Sequence, residues 1–310
     1  MSFSLNDPRN WLDVVPKTLH ASPLYSALWE RMKDDAEILA LMDLIEKDQP
    51  LPITFFTAIN YLVLGEPQDP LAQFYPYLQP EHTQPAAEAY PFFRAFVLAH
   101  QEVLQALLPT ARLQTNEVTR CANLLPAFLL TYRHGGYQAL NMIELGSSAG
   151  LNLLWNQYGY RYQYENTPSV LDVVGDPKAP VQLQCLVTPA PRFPITSLTT
   201  LPYVAQCQGI EICPRDLDEE SDRRWVRAAI WPEELARHRL LDAAIAFAER
   251  TPVVVHQGDA CDLLPELLAA IPRTQTAVVW HSYALNQGPL TVKTRIEEQI
   301  AEASQRMPIY

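Results

Sequence analysis

Apolar residues recur at helical spacing through roughly the first 134 positions, then give way to short strand-like runs that alternate with helices. Ser22 is placed to cap a helix carrying Leu24, Leu28, Ile38, Leu41, Leu44 and Ile45, with Lys33-Asp34-Asp35 as an interruption. A second apolar helix is predicted over residues 53–64, stopped by Gly65-Glu66-Pro67, and residues 70–85, rich in Pro, Tyr and Gln, read as a loop. Further helices are expected over 86–108 and 116–132. The second of these opens on Thr115, Asn116, Glu117 and Arg120, which reads either as a cap with an acid in the first turn and an i,i+3 ion pair, or as a polar end lining a ligand site.

The pattern changes at residues 141–151, NMIELGSSAGL. Met142 and Ile143 lead to Glu144, Gly146 and Gly150 bracket Ser147, Ser148 and Ala149, and Leu151, Leu153, Leu154 and Trp155 follow: strand, glycine turn, helix start. Such a helix start offers unpaired N–H groups, so something anionic or polar is expected against the turn. Residues 158–164 and 181–187 alternate as strands, with Pro168, Gly175-Asp176-Pro177 and Pro180 between them, and predict an inserted antiparallel hairpin. Residues 189–202 read as a proline-rich connector. The strand beginning at Val204 ends in Gly209-Ile210-Glu211, and helices are expected over 219–230 and 233–250, broken at Trp231-Pro232. A strand over 253–256 runs into Gln257-Gly258-Asp259, a short helix covers 261–270, and a strand over 276–280 ends in His281-Ser282-Tyr283. After a helix over 290–306, residues 307–310 begin a fifth strand, which implies either a truncated chain or an unusually small sheet.

This alternation predicts an α/β fold: a Rossmann-like, mostly parallel sheet over 136–310 with an insertion at about 158–203, and an all-helical N-terminal region over 1–135 that covers the site and shapes its acceptor pocket. Glu144, Glu211, Asp259 and His281 each end a strand, so all four fall at the carboxyl edge where parallel sheets bind ligands.

Composition narrows the partners. At 310 residues, 48% of them hydrophobic, the chain can bury one large or two ordinary cores. Its net charge of −12 and the lack of a Lys/Arg cluster argue against nucleic acid, and no run approaches a membrane span. The N-terminus has neither the basic start nor the apolar core of an export signal, so a cytoplasmic location is expected. Five scattered cysteines, never in a Cys-x-x-Cys pair, fit reduced thiols better than disulfides or zinc, and no metal site is predicted. Nothing in the sequence fixes an oligomeric state.

The turn itself separates ligand classes. A dinucleotide fingerprint would need glycine where Ser148 and Leu151 stand, and no Gly-Lys-Ser/Thr follows for a phosphate loop. The acid-x-Gly-x-Gly-x-Gly turn of S-adenosylmethionine enzymes maps onto Glu144, Gly146, Ser148 and Gly150, with serine in place of the middle glycine. Glu211, at the end of the next strand, reads as a ribose-diol acceptor or as a solvated turn acid, and Asp259 lies where a carboxylate could accept from an adenine amino group. The same turn letters, Gly146-Ser147-Ser148-Ala149-Gly150, also spell the nucleophile elbow of α/β-hydrolases, with Asp259 and His281 following in the triad's order. Against that reading, the chain before Gln138 reads helical, and His134-Gly135-Gly136 abuts the elbow where an oxyanion motif would lie well upstream.

The chain resembles an uncharacterised bacterial family, a domain of unknown function with an S-adenosylmethionine methyltransferase-like fold. The matching residues are Ser22-Pro23-Leu24-Tyr25, Gln114 to Val118 with Arg120, ELGSSAGLNL over 144–153, Tyr158 with Tyr160, Gly209-Ile210-Glu211 with Pro214 and Asp216, residues 225–232, Gly258-Asp259 and His281-Ser282. The resemblance implies a class I methyltransferase acting on a small molecule with S-adenosylmethionine as cofactor. Glu144 and the backbone of Gly146, Ser148 and Gly150 would hold its methionine portion, Glu211 its ribose and Asp259 its adenine. His281 would be the general base for an oxygen or nitrogen nucleophile, unless it is a hydrogen-bonded structural residue, and Asn116, Glu117, Arg120 and Tyr283 would line the site. The alternatives are a Ser148-Asp259-His281 esterase and a binding protein that keeps the fold without transferase activity.

Overall fold

The computed structural model describes residues 19, 21–164, 170–188 and 201–310. The expected connector lies outside the described residues up to position 200, as does Pro168. The chain divides into two compact units, one built from residues up to Thr115 with Glu219–Arg239, the other from Asn116–Asp218 with Leu240–Tyr310.

The first unit is helical among its described residues. Helices Pro23–Met32, Ala36–Met42 and Leu51–Gly65 are followed by Tyr90–Ala99 and Gln101–Leu107, and Glu220–Ala228 returns to pack on Leu51–Gly65. Local capping explains the early boundaries. Ser22 accepts from the Tyr25 N–H, and Asp35, in the expected interruption, caps the second helix by accepting from Glu37 and Ile38. Two expectations are corrected. Residues 70–85 are not all loop, because Asp69 caps a 3-10 turn at Pro70–Phe74. The helix expected over 86–108 is broken at His100, where the backbone leaves helical geometry at φ −103°, ψ 17°, and whose Nδ1 pairs with the Phe96 carbonyl at 2.8 Å. The core of this unit gathers Tyr25, Phe55, Phe56, Phe93 and Trp225, with Tyr25 stacked on Phe56 at 4.4 Å. Glu233 ties the returning segment to the first helix, accepting from Ser22 Oγ at 2.7 Å and from the Leu24 N–H at 2.8 Å. Asn60 donates from Nδ2 to the Ala228 and Ile230 carbonyls, satisfying acceptors that a helix end leaves open.

The second unit carries the strands β1 (Leu140–Leu145), β2 (Gly159–Tyr164), β3 (Val170–Val174), β4 (Gln182–Val187), β5 (Val204–Glu211), β6 (Val254–Gln257) and β7 (Thr276–Trp280). Four form a parallel sheet in the order β6-β5-β1-β7. The last residues add to its β7 side: the Val279 N–H donates to the Tyr310 carbonyl at 3.0 Å and the Tyr310 N–H to Ala277 at 3.1 Å, with Ile309 bridged parallel to Ala277. One face of the sheet, with Ile143, Leu145, Ile210 and Ala277, packs against helices Ala260–Ala270 and Leu290–Ser304. Side chains alternate along a strand, so Glu144 and its register partners Gly209 and Trp280 belong to the opposite face. There Phe128, from helix Arg120–His134, meets Trp155 and Trp280 at 4.8 and 5.3 Å.

The insertion is not the predicted hairpin. It is a three-stranded sheet, β3-β2-β4, in which β2 pairs antiparallel with β3 and parallel with β4. The residues between the two expected strands hold a third, ended by Gly175 at φ 81°, and a parallel pair needs such an intervening crossover. The tyrosines of β2 anchor this sheet: Tyr160 donates to the Trp155 carbonyl and Tyr162 to that of Ala122, both at 2.6 Å. Among the described residues no helix is long and apolar enough to cross a membrane.

Candidate functional site

β1 delivers Glu144 to the carboxyl edge, and the chain then turns sharply. Gly146 and Gly150 have φ of 74°, and Ser148, at φ 52°, also takes the left-handed conformation that L side chains rarely adopt. A methyl group on Gly146 would lie 2.3 Å from the Ala284 Cβ, so the turn after β7 can approach only because glycine stands there. The helix expected after the turn is a short 3-10 helix, Leu151–Gln157.

The amides of the turn itself, residues 146–150, are taken up within the chain. Gly146 and Ser147 donate to the Ile210 carbonyl at 2.9 and 3.4 Å, and Gly150 donates to Ser147 at 2.8 Å. The Ser148 N–H donates to Glu211 Oε2 at 2.8 Å, and the Ala149 N–H to Asn116 Oδ1 at 3.2 Å. All five amides therefore have acceptors within the chain, two of them from side chains, and the turn does not present the donor array that cradles a phosphate.

Asn116 does not begin a helix. Its Nδ2 donates to Ser148 Oγ at 3.1 Å while its Oδ1 takes the Ala149 amide, and the helix starts only at Arg120. Glu117 accepts from the Thr119 N–H at 3.2 Å. Arg120 reaches across to the end of β7, donating from Nη1 to the Ser282 carbonyl at 2.8 Å and to Ser282 Oγ at 3.3 Å.

Glu144 stands apart from these satisfied groups. It is 1% exposed, and neither carboxyl oxygen has a hydrogen-bond partner among the described residues. Burial pushes its carboxyl up to about 8, and the Glu211 charge adds to the rise. A weak interaction with the Asn152 side chain and the Arg120 charge draw it down, by less than burial raises it. Asn152 is oriented by Cys121, whose thiol donates to its Oδ1 at 3.3 Å, leaving the amide nitrogen free of that contact. Ser147 Oγ and Trp280 Nε1 are likewise buried without partners. Gly209 leaves room here, since a methyl group on it would meet Ser147 Oγ at 2.2 Å. Asn152 and Ser282 are site residues without an assigned role in the sequence reading, although both stand inside motifs that it singled out.

The other carboxylates are partly engaged. Glu211 also accepts from the Cys213 N–H at 3.2 Å, and Asp259 is an exposed helix cap accepting from Cys261 at 2.7 Å. His281 Nδ1 accepts from the Tyr283 N–H at 3.4 Å, and burial, helped by the Lys293 charge, holds its imidazole below the usual histidine range. The neutral ring in that arrangement carries its proton on Nε2. Tyr283 sits at φ 141°, a strained position for a non-glycine residue. Asp259 follows β6 and His281 follows β7, on opposite flanks of the β1 turn. Three strand spacings separate them, about 14 Å. The five cysteines are free thiols, and among the described residues no group of three or more His, Cys, Asp or Glu is placed to hold a metal.

Fold and site together define an α/β protein with a largely parallel sheet and a cluster of polar and acidic side chains at the carboxyl edge of its central strand. Residues 17–310 match the family model described as an uncharacterized protein conserved in bacteria (DUF2332), and the chain belongs to that family. No curated protein and no solved structure matches it.

Proposed function

We propose that the chain is a class I S-adenosylmethionine-dependent methyltransferase acting on a small molecule. The observation that carries this reading is Glu144: a buried carboxyl with two unpartnered oxygens, beneath a glycine turn whose amides are already occupied. Such a site calls for a ligand that brings hydrogen-bond donors and positive charge, and it offers little to a pyrophosphate. Strand order supports the same reading. Numbered along the chain from β1, and counting the final residues beside β7, the parallel sheet runs 3-2-1-4-5, so the switch point falls between β1 and β7, where open α/β sheets bind ligands.

The chain's residues fit the cofactor in outline. Glu144 is available to its ammonium group. Glu211 keeps acceptor capacity for a ribose diol after taking two amides, since each carboxylate oxygen accepts more than one hydrogen bond. Asp259 keeps capacity for an adenine amino group in the same way. The bound cofactor would supply an electrophilic methyl group, transferred in line to a nucleophile held against it. His281, neutral near pH 7, can take the nucleophile's proton only after its ring releases the Tyr283 N–H or changes tautomer.

The serine-esterase alternative loses support on the same geometry. Ser148 Oγ is bonded to Asn116 and not to His281, the Ala149 amide that would form the oxyanion hole is taken by Asn116, and Asp259 and His281 lie on opposite flanks of the turn. The test is calorimetric titration with S-adenosylmethionine and S-adenosylhomocysteine, repeated on Glu211→Ala. Micromolar binding, about −8 kcal/mol, that weakens in the variant is the expected result. Absence of heat with both ligands in a folded protein would overturn the reading.

A further inference from the structure

We infer that Glu144 holds a proton in the ligand-free protein and gives it up to solvent when a ligand ammonium group docks against it. This rests on the cofactor reading above and extends it to the site's proton balance.

Groups from several elements surround the Glu144 carboxyl. Helix Arg120–His134 brings Arg120 and Cys121, the 3-10 helix brings Asn152, β5 brings Glu211 and Cys207, and Tyr158 faces it from the start of the insertion. Only Arg120 carries a positive charge. Its guanidinium is anchored on Ser282 at 2.8 Å, and neither Glu144 oxygen receives a hydrogen bond from it. Burial pushes both thiols and the Tyr158 phenol well up, so these groups stay neutral and supply no countercharge. Glu211 adds charge of the wrong sign. An ionised Glu144 would therefore be a desolvated anion drawn down only by a weak interaction with the Asn152 side chain and by the Arg120 charge, which burial outweighs, and protonation is the inexpensive state. An ammonium ligand reverses this by supplying donors and charge together. The step is balanced: the neutral carboxyl and the cationic ligand give a carboxylate–ammonium pair, and one proton passes to the buffer. Affinity for amino-bearing ligands then rises with pH across the range in which free Glu144 is protonated, up to about pH 8.

The experiment is calorimetry of S-adenosylhomocysteine binding at about pH 6.5 in buffers of low and high ionisation enthalpy, alongside 5′-methylthioadenosine, which lacks the amino-acid portion. The expected result is release of close to one proton with S-adenosylhomocysteine, none with methylthioadenosine, and none with S-adenosylhomocysteine on Glu144→Gln. Binding without proton release by the wild type would overturn the inference and leave the cofactor reading standing. Proton release that survives in Glu144→Gln would do the same, by assigning the proton to another group. Failure of both nucleosides to bind the folded wild type would instead remove the cofactor reading itself. As a readout independent of the variant's affinity, the wild-type dissociation constant for S-adenosylhomocysteine is also followed between about pH 5.5 and 7. It should tighten roughly tenfold per pH unit, and a flat profile would refute the proton release.

Discussion

Replacing Glu144 by glutamine tests the buried carboxyl without any ligand. Burial pushes the carboxyl up to about 8 in the folded chain, against an ordinary value of 4.5, so between those values the folded chain holds a proton that the unfolded chain has lost. Stability therefore falls as pH rises through the window from 4.5 to about 8, at up to about 1.4 kcal/mol per unit. Carried across the whole window this approaches about 5 kcal/mol, an upper bound because water entering near an ionised carboxyl would recover part of it. Glutamine has the shape of the protonated acid and cannot ionise, so its pH profile lacks this fall. Urea unfolding of both proteins from pH 5 to 9 should give similar stabilities at the acid end and a variant more stable by about 2–5 kcal/mol at the alkaline end. The lowered His281 titration acts on both proteins alike, costing stability as pH falls below its ordinary value of 6.5, and cancels in the difference. Parallel profiles, with the variant never gaining on the wild type as pH rises, would refute the reasoning.

Three further substitutions probe the framework. Gly209→Ala places a methyl group 2.2 Å from Ser147 Oγ and 2.5 Å from its Cβ, and should cost about 1–3 kcal/mol by scanning calorimetry; an unchanged melting temperature would show that the turn yields freely. Asn116→Ala leaves the Ala149 N–H without its acceptor and should cost about 1–3 kcal/mol, whereas Asn116→Asp keeps that acceptor and should cost less; equal losses in urea unfolding would count against the amide contact. Glu233→Ala removes the acceptor for Ser22 Oγ and the Leu24 N–H, so hydrogen exchange at Leu24 and Tyr25 should quicken ahead of the rest of helix Pro23–Met32, and unaltered protection there would contradict the clamp.

How far the sequence could be read follows from which interactions are local. β1, β5, β6 and β7 were legible to within a residue or so because each is a short run with apolar residues that ends in a polar or glycine-bearing turn, signals contained in the strand and its flank. The cap at Ser22 was legible for the same reason, and Asp35, legible only as an interruption, proves to be the cap of the next helix. β3 was missed because its valine run lies between turn residues and its partner is chosen by the crossover to β4, which no local pattern specifies. Local pattern leaves Asn116 open between helix cap and site lining, because its partners lie 32 and 33 residues along the chain. The sequence placed Glu144 and Glu211 together as acids ending adjacent strands and gave no reason to rank them. The fold separates them. Glu211, half-exposed, accepts two backbone amides, so part of its acceptor capacity holds the turn in shape and its charge is solvated and hydrogen-bonded. Glu144, one strand away, is enclosed by helix Arg120–His134 and the aromatic cluster and receives nothing. A protein gains no stability from an enclosed carboxyl with two empty oxygens, since either charge state leaves desolvation uncompensated. On the proposed reading the ligand's ammonium group would complete this carboxyl, and the titration that disfavours its charge in the free protein would couple that charge to binding.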